Sequence, residues 1–318
     1  MSNPVNQFVY KSCGQYFVTL KYLDDTKTNE QRSGIVDLFN AKYRGNKFLV
    51  VNIYHKGTNE EVNECTNTYY KEKKLKYIKN EIVEEKNFNT NINVVCGEGI
   101  HYYKNKLNAL LLELPDHYTG HFISYHDNGQ KYEECDYVDD KIVGHSISYH
   151  ENGQQYEECD YVDGKIVGHY ISYHENGQKY EECEYVDDKI VGHYISYHEN
   201  GQKSEECDYI DDKIVGHYIS YHENGQKYVE CDYIDDKIVG HFISYHDNGQ
   251  KSEECDYVNG KIIGHFISYY KNGQKHVECD YVDGKRVGHF ISYHDNGQKN
   301  VECHYLDDEY DNNQKRCS

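Results

Sequence analysis

From Gly120 onward one 24-residue phrase recurs eight times, and a chain written this way has few folds open to it. The first copy reads GHFISYHDNGQKYEECDYVDDKIV, Gly120 to Val143. Later copies begin at Gly144, Gly168, Gly192, Gly216, Gly240, Gly264 and Gly288. A unit this short cannot bury a hydrophobic face alone. A fixed period in the twenties therefore means one supersecondary unit stacked on copies of itself, each touching its neighbours. Such arrays serve as binding surfaces or spacers.

Each unit holds two turn signals. One is Asn-Gly, from Asn128-Gly129 to Asn296-Gly297; the other is Asp-Asp, Asp-Gly or Asn-Gly, as at Asp139-Asp140, Asp163-Gly164 and Asn259-Gly260. Both suit two-residue type I′ hairpins, whose central residues need positive φ. The segments between them are strand-length and rich in Ile, Val, Tyr and Phe, and the only prolines are Pro4 and Pro115. The expected fold class is mainly β, an elongated antiparallel meander of eight hairpin repeats over residues 120–311, advancing roughly 10 Å per repeat.

Register follows from the turns. With Asn128-Gly129 as the loop, Tyr125 faces Tyr132 and Phe122 faces Cys135; with Asp139-Asp140, Tyr137 faces Ile142. Alternation then sorts Phe122, Ser124, His126, Lys131, Glu133, Cys135, Tyr137 and Ile142 to one face. His121, Ile123, Tyr125, Tyr132, Glu134, Asp136, Val138 and Val143 take the other. Neither face is cleanly apolar, and a bulge would shift the assignment.

The pattern G-x-[FY]-x-x-Y-x-x-N-G-x-x-x-x-E-x-x-Y-x-x-G-K resembles MORN-type repeats, especially the variant in bacterial YwqK-like antitoxin proteins. Gly120, Phe122, Tyr125, Asn128, Gly129, Glu134, Tyr137 and Lys141 carry the match. Asp140 stands where the family has a turn glycine, which Gly164, Gly260 and Gly284 retain. The resemblance implies a scaffold, a protein-binding module or a lipid binder.

Residues 1–119 lack the period and read as a small α+β domain. Strands are expected near 15–22, 34–39, 47–54, 76–83 and 98–103, then a helix near 104–114 that Pro115 stops. That leucine-rich helix is placed to cover the first strand of the array, because stacked repeats need a cap. Cys96, Gly99, Ile100, His101 and Tyr102, with Lys42 and Arg44, resemble an uncharacterised domain that precedes repeats in proteins of giant DNA viruses of amoebae, and so imply a mimivirus-like repeat protein. Residues 312–318 read as a polar tail.

Residues 120–318 hold 18 Lys and Arg against 41 Asp and Glu, a net −23, whereas residues 1–119 hold 16 against 14. An array this acidic disfavours nucleic acid and anionic lipid, both of which need Lys/Arg neutralisation. It suits a basic protein partner. Eight cysteines share the period, from Cys135 to Cys303, and equivalent positions lie roughly 10 Å apart, beyond disulfide reach. They are expected as reduced, packed thiols. The start MSNPVNQF has no secretory leader pattern and no apolar run approaches a membrane span, so the expected location is intracellular: host cytoplasm, viral factory or virion.

Candidate chemistry is thin. His121 and His126 fall on opposite faces, and neither joins Cys135 in a compact metal site. Asp139-Asp140 reads as a turn, not a calcium loop. Cys96 and His101 lack an orienting third group for nucleophilic catalysis. The expected function is a non-enzymatic interaction module with no cofactor, no catalytic residue and no metal. Its contact residues are the repeated aromatics and acids Tyr125, Tyr149, Tyr173, Tyr197, Glu134 and Glu158. A structural spacer or virion component, and an antitoxin-like inhibitor of a basic partner, are the competing readings.

Overall fold

The structure, a computed structural model, describes residues 7–67, 75–112 and 117–310. The expected tail at 312–318 lies outside them. The chain packs as two compact units, Met1–Lys165 and Ile166–Ser318.

The first unit opens with β1 (Phe8–Cys13), β2 (Tyr16–Lys21), β3 (Lys42–Gly45), β4 (Lys47–His55), β5 (Glu64–Thr66), β6 (Lys76–Ile78), β7 (Ile82–Glu84) and β8 (Ile100–Tyr103). Six of these form one sheet in the order β3-β8-β1-β2-β4-β7, while β5 and β6 pair separately. Its inward residues are apolar and fully covered, among them Val18, Leu20, Phe48, Val50 and Ile53. The expected α+β domain is, among the described residues, a β domain with one six-residue helix, α1 (Lys106–Leu111), capped by the Asn105 side chain.

Two strand expectations fail for identifiable reasons. Residues 34–39 form a loop, because Asp37 Oδ1 accepts the Phe39 and Asn40 amides while Val36 and Asp37 donate their own to Asn128 O. Residues 76–83 break into β6 and β7 at Asn80, whose φ is +67°. Arg44 is fully buried and gives its guanidinium to the carbonyls of Asn89, Asn91, Val94 and Glu98, so one side chain shapes the 89–98 loop.

The array starts in the same unit with β9 (Gly120–Tyr125), β10 (Lys131–Val138), β11 (Lys141–Tyr149) and β12 (Gln155–Val162), each antiparallel to the one before. Leu111 of α1 packs with Phe122 and Cys135, which is the capping contact expected of the helix. The first hairpin loop is also held: Lys42 N donates to Asp127 O, and Lys42 Nζ lies 3.4 Å from its carboxylate.

The second unit continues with β13 (Lys165–Tyr173), β14 (Lys179–Val186) and eleven further described strands, ending in β24 (Lys299–Leu306) and β25 (Glu309–Tyr310). Its ladders repeat one register with every copy, as the meander requires.

The two turns differ. At Asp139-Asp140 both residues have positive φ, 47° and 67°, the expected two-residue turn. The aspartate at its second position is useful there. Asp188, Asp212 and Asp236 each accept the amide of a residue one repeat back, Ile166, Ile190 and Ile214, at 2.7–2.8 Å. Glycine cannot make that bond, which accounts for the departure from the family's turn residue.

The Asn-Gly turn is not two-residue. His174 N donates to Gln178 O and Gly177 N to His174 O, leaving a three-residue loop whose glycine alone is left-handed, at φ +81°. Tyr173 then pairs with Lys179, not with Tyr180, and the ladder shifts before Ser172 pairs with Glu181. The extra loop residue and the bulged tyrosine cancel, so Phe122 still faces Cys135 as expected. The cost falls on two positions. Lys131 joins Tyr125 and Glu134 on the second face, and Tyr132 leaves the ladder to meet the His126 ring at 5.0 Å.

Candidate functional site

Two rows of polar side chains cross the strands, one on each face. On the second face the row is closed on itself. Glu206 accepts from Lys203 at 2.8 Å, from Tyr221 of the next repeat at 3.3 Å, and meets His193 Nε2 at 3.4 Å. His193 Nδ1 in turn meets Asp208 at 3.1 Å. The Lys203 hydrogen bond, foremost, holds the Glu206 carboxyl below the usual range.

The expected contact residues belong to this row. Glu134 meets Lys131 at 2.7 Å and His121 at 3.3 Å, and Tyr149 lies 6.0 Å from Lys131 Nζ. Glu158 meets His145 at 3.3 Å, and Gln155 stands where most copies place lysine. Tyr125 pairs with Lys131, Tyr173 with Lys179 and Tyr197 with Lys203. All six are half-buried. Each is tied to a lysine or histidine beside it.

The first face carries a row that sequence reasoning passed over. Glu181 pairs with Ser172 on one side and Ser196 on the other, and Glu205 with Ser196 and Ser220, so serine and glutamate alternate strand by strand. In the first unit Glu133 stands likewise between Ser124 and Ser148. Around the row sit aromatic pairs such as Tyr194–Tyr209 and Phe242–Tyr257, each with ring centroids 5.4 Å apart, and the buried cysteines. Among the described residues, no Lys, Arg or His lies within ion-pair distance of Glu133, Glu181 or Glu205. Their neighbours are neutral: Tyr194 donates to Glu181 at 2.9 Å and Cys207 to Glu205 at 3.8 Å. Burial, first, raises the carboxyls of Glu133 and Glu205. The sequence signal was present: this position alternates between Glu and Val, as at Val229, Val277 and Val301.

Repeated histidine and asparagine are joints. His198 Nε2 meets Tyr221 O at 3.0 Å and Asn200 Nδ2 donates to Glu223 O at 2.6 Å, each reaching one repeat onward. Tyr270 replaces histidine in one copy and donates its hydroxyl to Tyr293 O at 2.8 Å.

In the β domain, Cys96 Sγ lies 3.6 Å from Lys42 Nζ and 3.6 Å from Asp127 Oδ2, while His101 Nε2 meets Val95 O. Burial, with Lys11 and Lys42 nearby, lowers His101 to about 4, which keeps it neutral at pH 7. Among the described residues no group of three His, Cys, Asp or Glu side chains is arranged to hold a metal ion. No described helix is long and apolar enough to cross a membrane.

Comparison with known families agrees with this geometry. Residues 118–139, 166–187, 190–211, 214–235, 238–259, 263–283 and 286–307 match the MORN repeat variant. Seven of the copies are MORN-variant repeats. The copy between the first two matched segments, which contains Ser146 and Gln155, is not matched. MORN-variant repeats form scaffolds or interaction modules. Residues 2–109 match a family of unknown function, DUF5758. No curated protein matches. The solved structure titled "Crystal Structure of TcdB2-TccC3" aligns with 87% of this chain at 8% identity and a TM-score of 0.17. The alignment covers 19% of that chain's length.

Proposed function

We propose that the protein is a non-enzymatic interaction module whose MORN-variant array presents repeated acids and aromatics to a basic protein partner. The observation that carries this reading is that the array repeats its acids on both faces copy after copy, while its cysteines are packed and its His126-type histidines serve as joints. Tyr125, Tyr149, Tyr173, Tyr197, Glu134 and Glu158 contribute one such row. Many weak, identical contacts add through multivalency. The setting proposed is a reducing, intracellular one, such as host cytoplasm, a viral factory or a virion interior, where the free thiols persist.

The test immobilises the full chain and a chain lacking residues 192–239, two whole repeats, and reads retained lysate proteins at low and high salt by mass spectrometry. The reading expects a stoichiometric basic partner, released by salt and held less well by the shortened chain. An array that retains nothing, and whose length alone matters in the cell, would be a spacer.

A further inference from the structure

The serine–glutamate row on the aromatic face has three properties that do not arise from folding needs. Among the described residues Glu133, Glu181 and Glu205 lack cations although the same strands carry Lys131-type residues on the other face. Its position accepts valine in three copies, so the fold does not require the acid. And it holds hydroxyls that the fold leaves unused: the Oγ atoms of Ser124, Ser148 and Ser172 are buried without a hydrogen-bond partner among the described residues. Ser172 is 2% exposed and stands directly across the ladder from Glu181; Ser124 and Ser148 flank Glu133 on both sides. Buried polar groups without partners are costly, and their recurrence beside uncompensated carboxylates marks a place built for a donor from outside.

The chemistry of that donor is set by the surroundings. A carboxylate, adjacent hydroxyl acceptors and tyrosine or phenylalanine rings together suit an ammonium or guanidinium group. There is room for one at the Glu253 station, where Ser244 and Ser268 flank the carboxylate and a recess of about 440 Å³ is lined by Glu253, Ser268, Phe266 and Phe290. Arg286 also lines that recess, turned onto the Tyr305 ring and Asp308.

Spacing then selects the backbone that delivers the cations. Glu181 and Glu205 lie two strands apart, about 9.6 Å at about 4.8 Å per strand. A polyproline II chain returns its side chains to one side every three residues, about 9.3 Å. A β-strand puts every third residue on the opposite side.

We propose that Glu181 and Glu205, with their flanking serines, are sockets for Lys or Arg side chains of an extended, polyproline II-like partner segment basic at every third residue. This deepens the interaction reading and rests on it.

Fluorescence anisotropy with the full chain tests it. Three labelled peptides carry equal numbers of lysines at every second, third or fourth position, in a proline- and alanine-based background at low salt. The third-position peptide is expected to bind at least about fivefold tighter than the other two. The double variant Glu181→Gln/Glu205→Gln should weaken it at least about threefold. Asp211→Asn/Asp235→Asn, which removes the same charge from the exposed turns, should not. Equal affinity for all three peptides, with equal loss in both double variants, would show diffuse attraction to an acidic protein. That overturns the sockets and leaves the interaction reading standing. No binding of any peptide, while a lysate partner is still retained, overturns the sockets too; no binding and no retained partner removes both.

Discussion

Gly129 lies so close to Asp37 that a Cβ on it would collide with the Asp37 carbonyl oxygen, and would come within 2.9 Å of the Ala41 amide nitrogen. This contact docks the first hairpin of the array onto the β domain. Its backbone is also left-handed, at φ +92°. Gly164 has a similar conformation, φ +79°, with nothing nearer than 3.5 Å to an added Cβ. Gly129→Ala should therefore destabilise by roughly 2–4 kcal/mol and Gly164→Ala by about 1 kcal/mol. Chemical denaturation compares them, and equal losses would mean that the docking contact adds nothing.

His222 should be replaceable by tyrosine but not by alanine. Its Nε2 meets Tyr245 O at 3.0 Å, and Tyr270 already makes the equivalent bond with a hydroxyl. His222→Ala is expected to cost about 1 kcal/mol, and His222→Tyr less than half of that. Thermal unfolding of the two variants settles the order.

Glu205 is expected to weaken the fold it sits in. Burial raises its carboxyl, so its contribution to stability is present below the unfolded value near 4.5 and lost as pH rises through the folded one. Glu205→Val, the residue found at 229, 277 and 301, should raise stability at pH 7 by a few tenths to about 1 kcal/mol. The gain at pH 4 should be smaller, and the reverse order would contradict the assignment.

Glu206 behaves oppositely. Its carboxyl is held low by Lys203, so that pair stabilises above the unfolded value near 4.5 and releases its contribution as pH falls. Because the pair is exposed, Lys203→Ala should cost no more than about 0.5 kcal/mol at pH 7. The variant should match the parent at pH 3. Urea midpoints at both pH values give the comparison.

Cys96 should be the first described thiol to react with an alkylating agent in the native protein. It is the exposed one; Cys183 and its equivalents from Cys135 to Cys279 are buried, and burial pushes Cys183 up to about 12, leaving almost no thiolate. Peptide mapping after brief alkylation should find Cys96 labelled, and the periodic cysteines from Cys135 to Cys279 labelled only after unfolding.

The period, the strands and one of the two turns were legible because each rests on composition repeated eight times. The other turn was not. Asn-Gly serves two-residue and three-residue loops alike, and nothing in the Tyr132 side chain announces a bulge; the two effects cancelled and left Phe122 opposite Cys135 regardless. In the β domain, the apolar run at 34–39 read as a strand because its true partner, the Asn128 carbonyl, lies far along the chain. The site was half legible. Tyr125 and Glu134 were correctly put on one face, but the displaced Lys131 hid that Glu134 already has a cation beside it. Glu133 drew no notice because its meaning lies in what is missing beside it.

The joints between repeats have a consequence for how such a protein changes over generations. Asn200 grips the main-chain carbonyl of Glu223, and Asn248 grips that of Lys271 at the same 2.6 Å. A carbonyl is supplied by any residue, so the joint does not read the side chain it lands on. A copy inserted in frame by duplication is fastened on arrival, with no matching mutation needed in its neighbour. Array length is then free to drift quickly, while each copy's exposed chemistry diverges at its own pace.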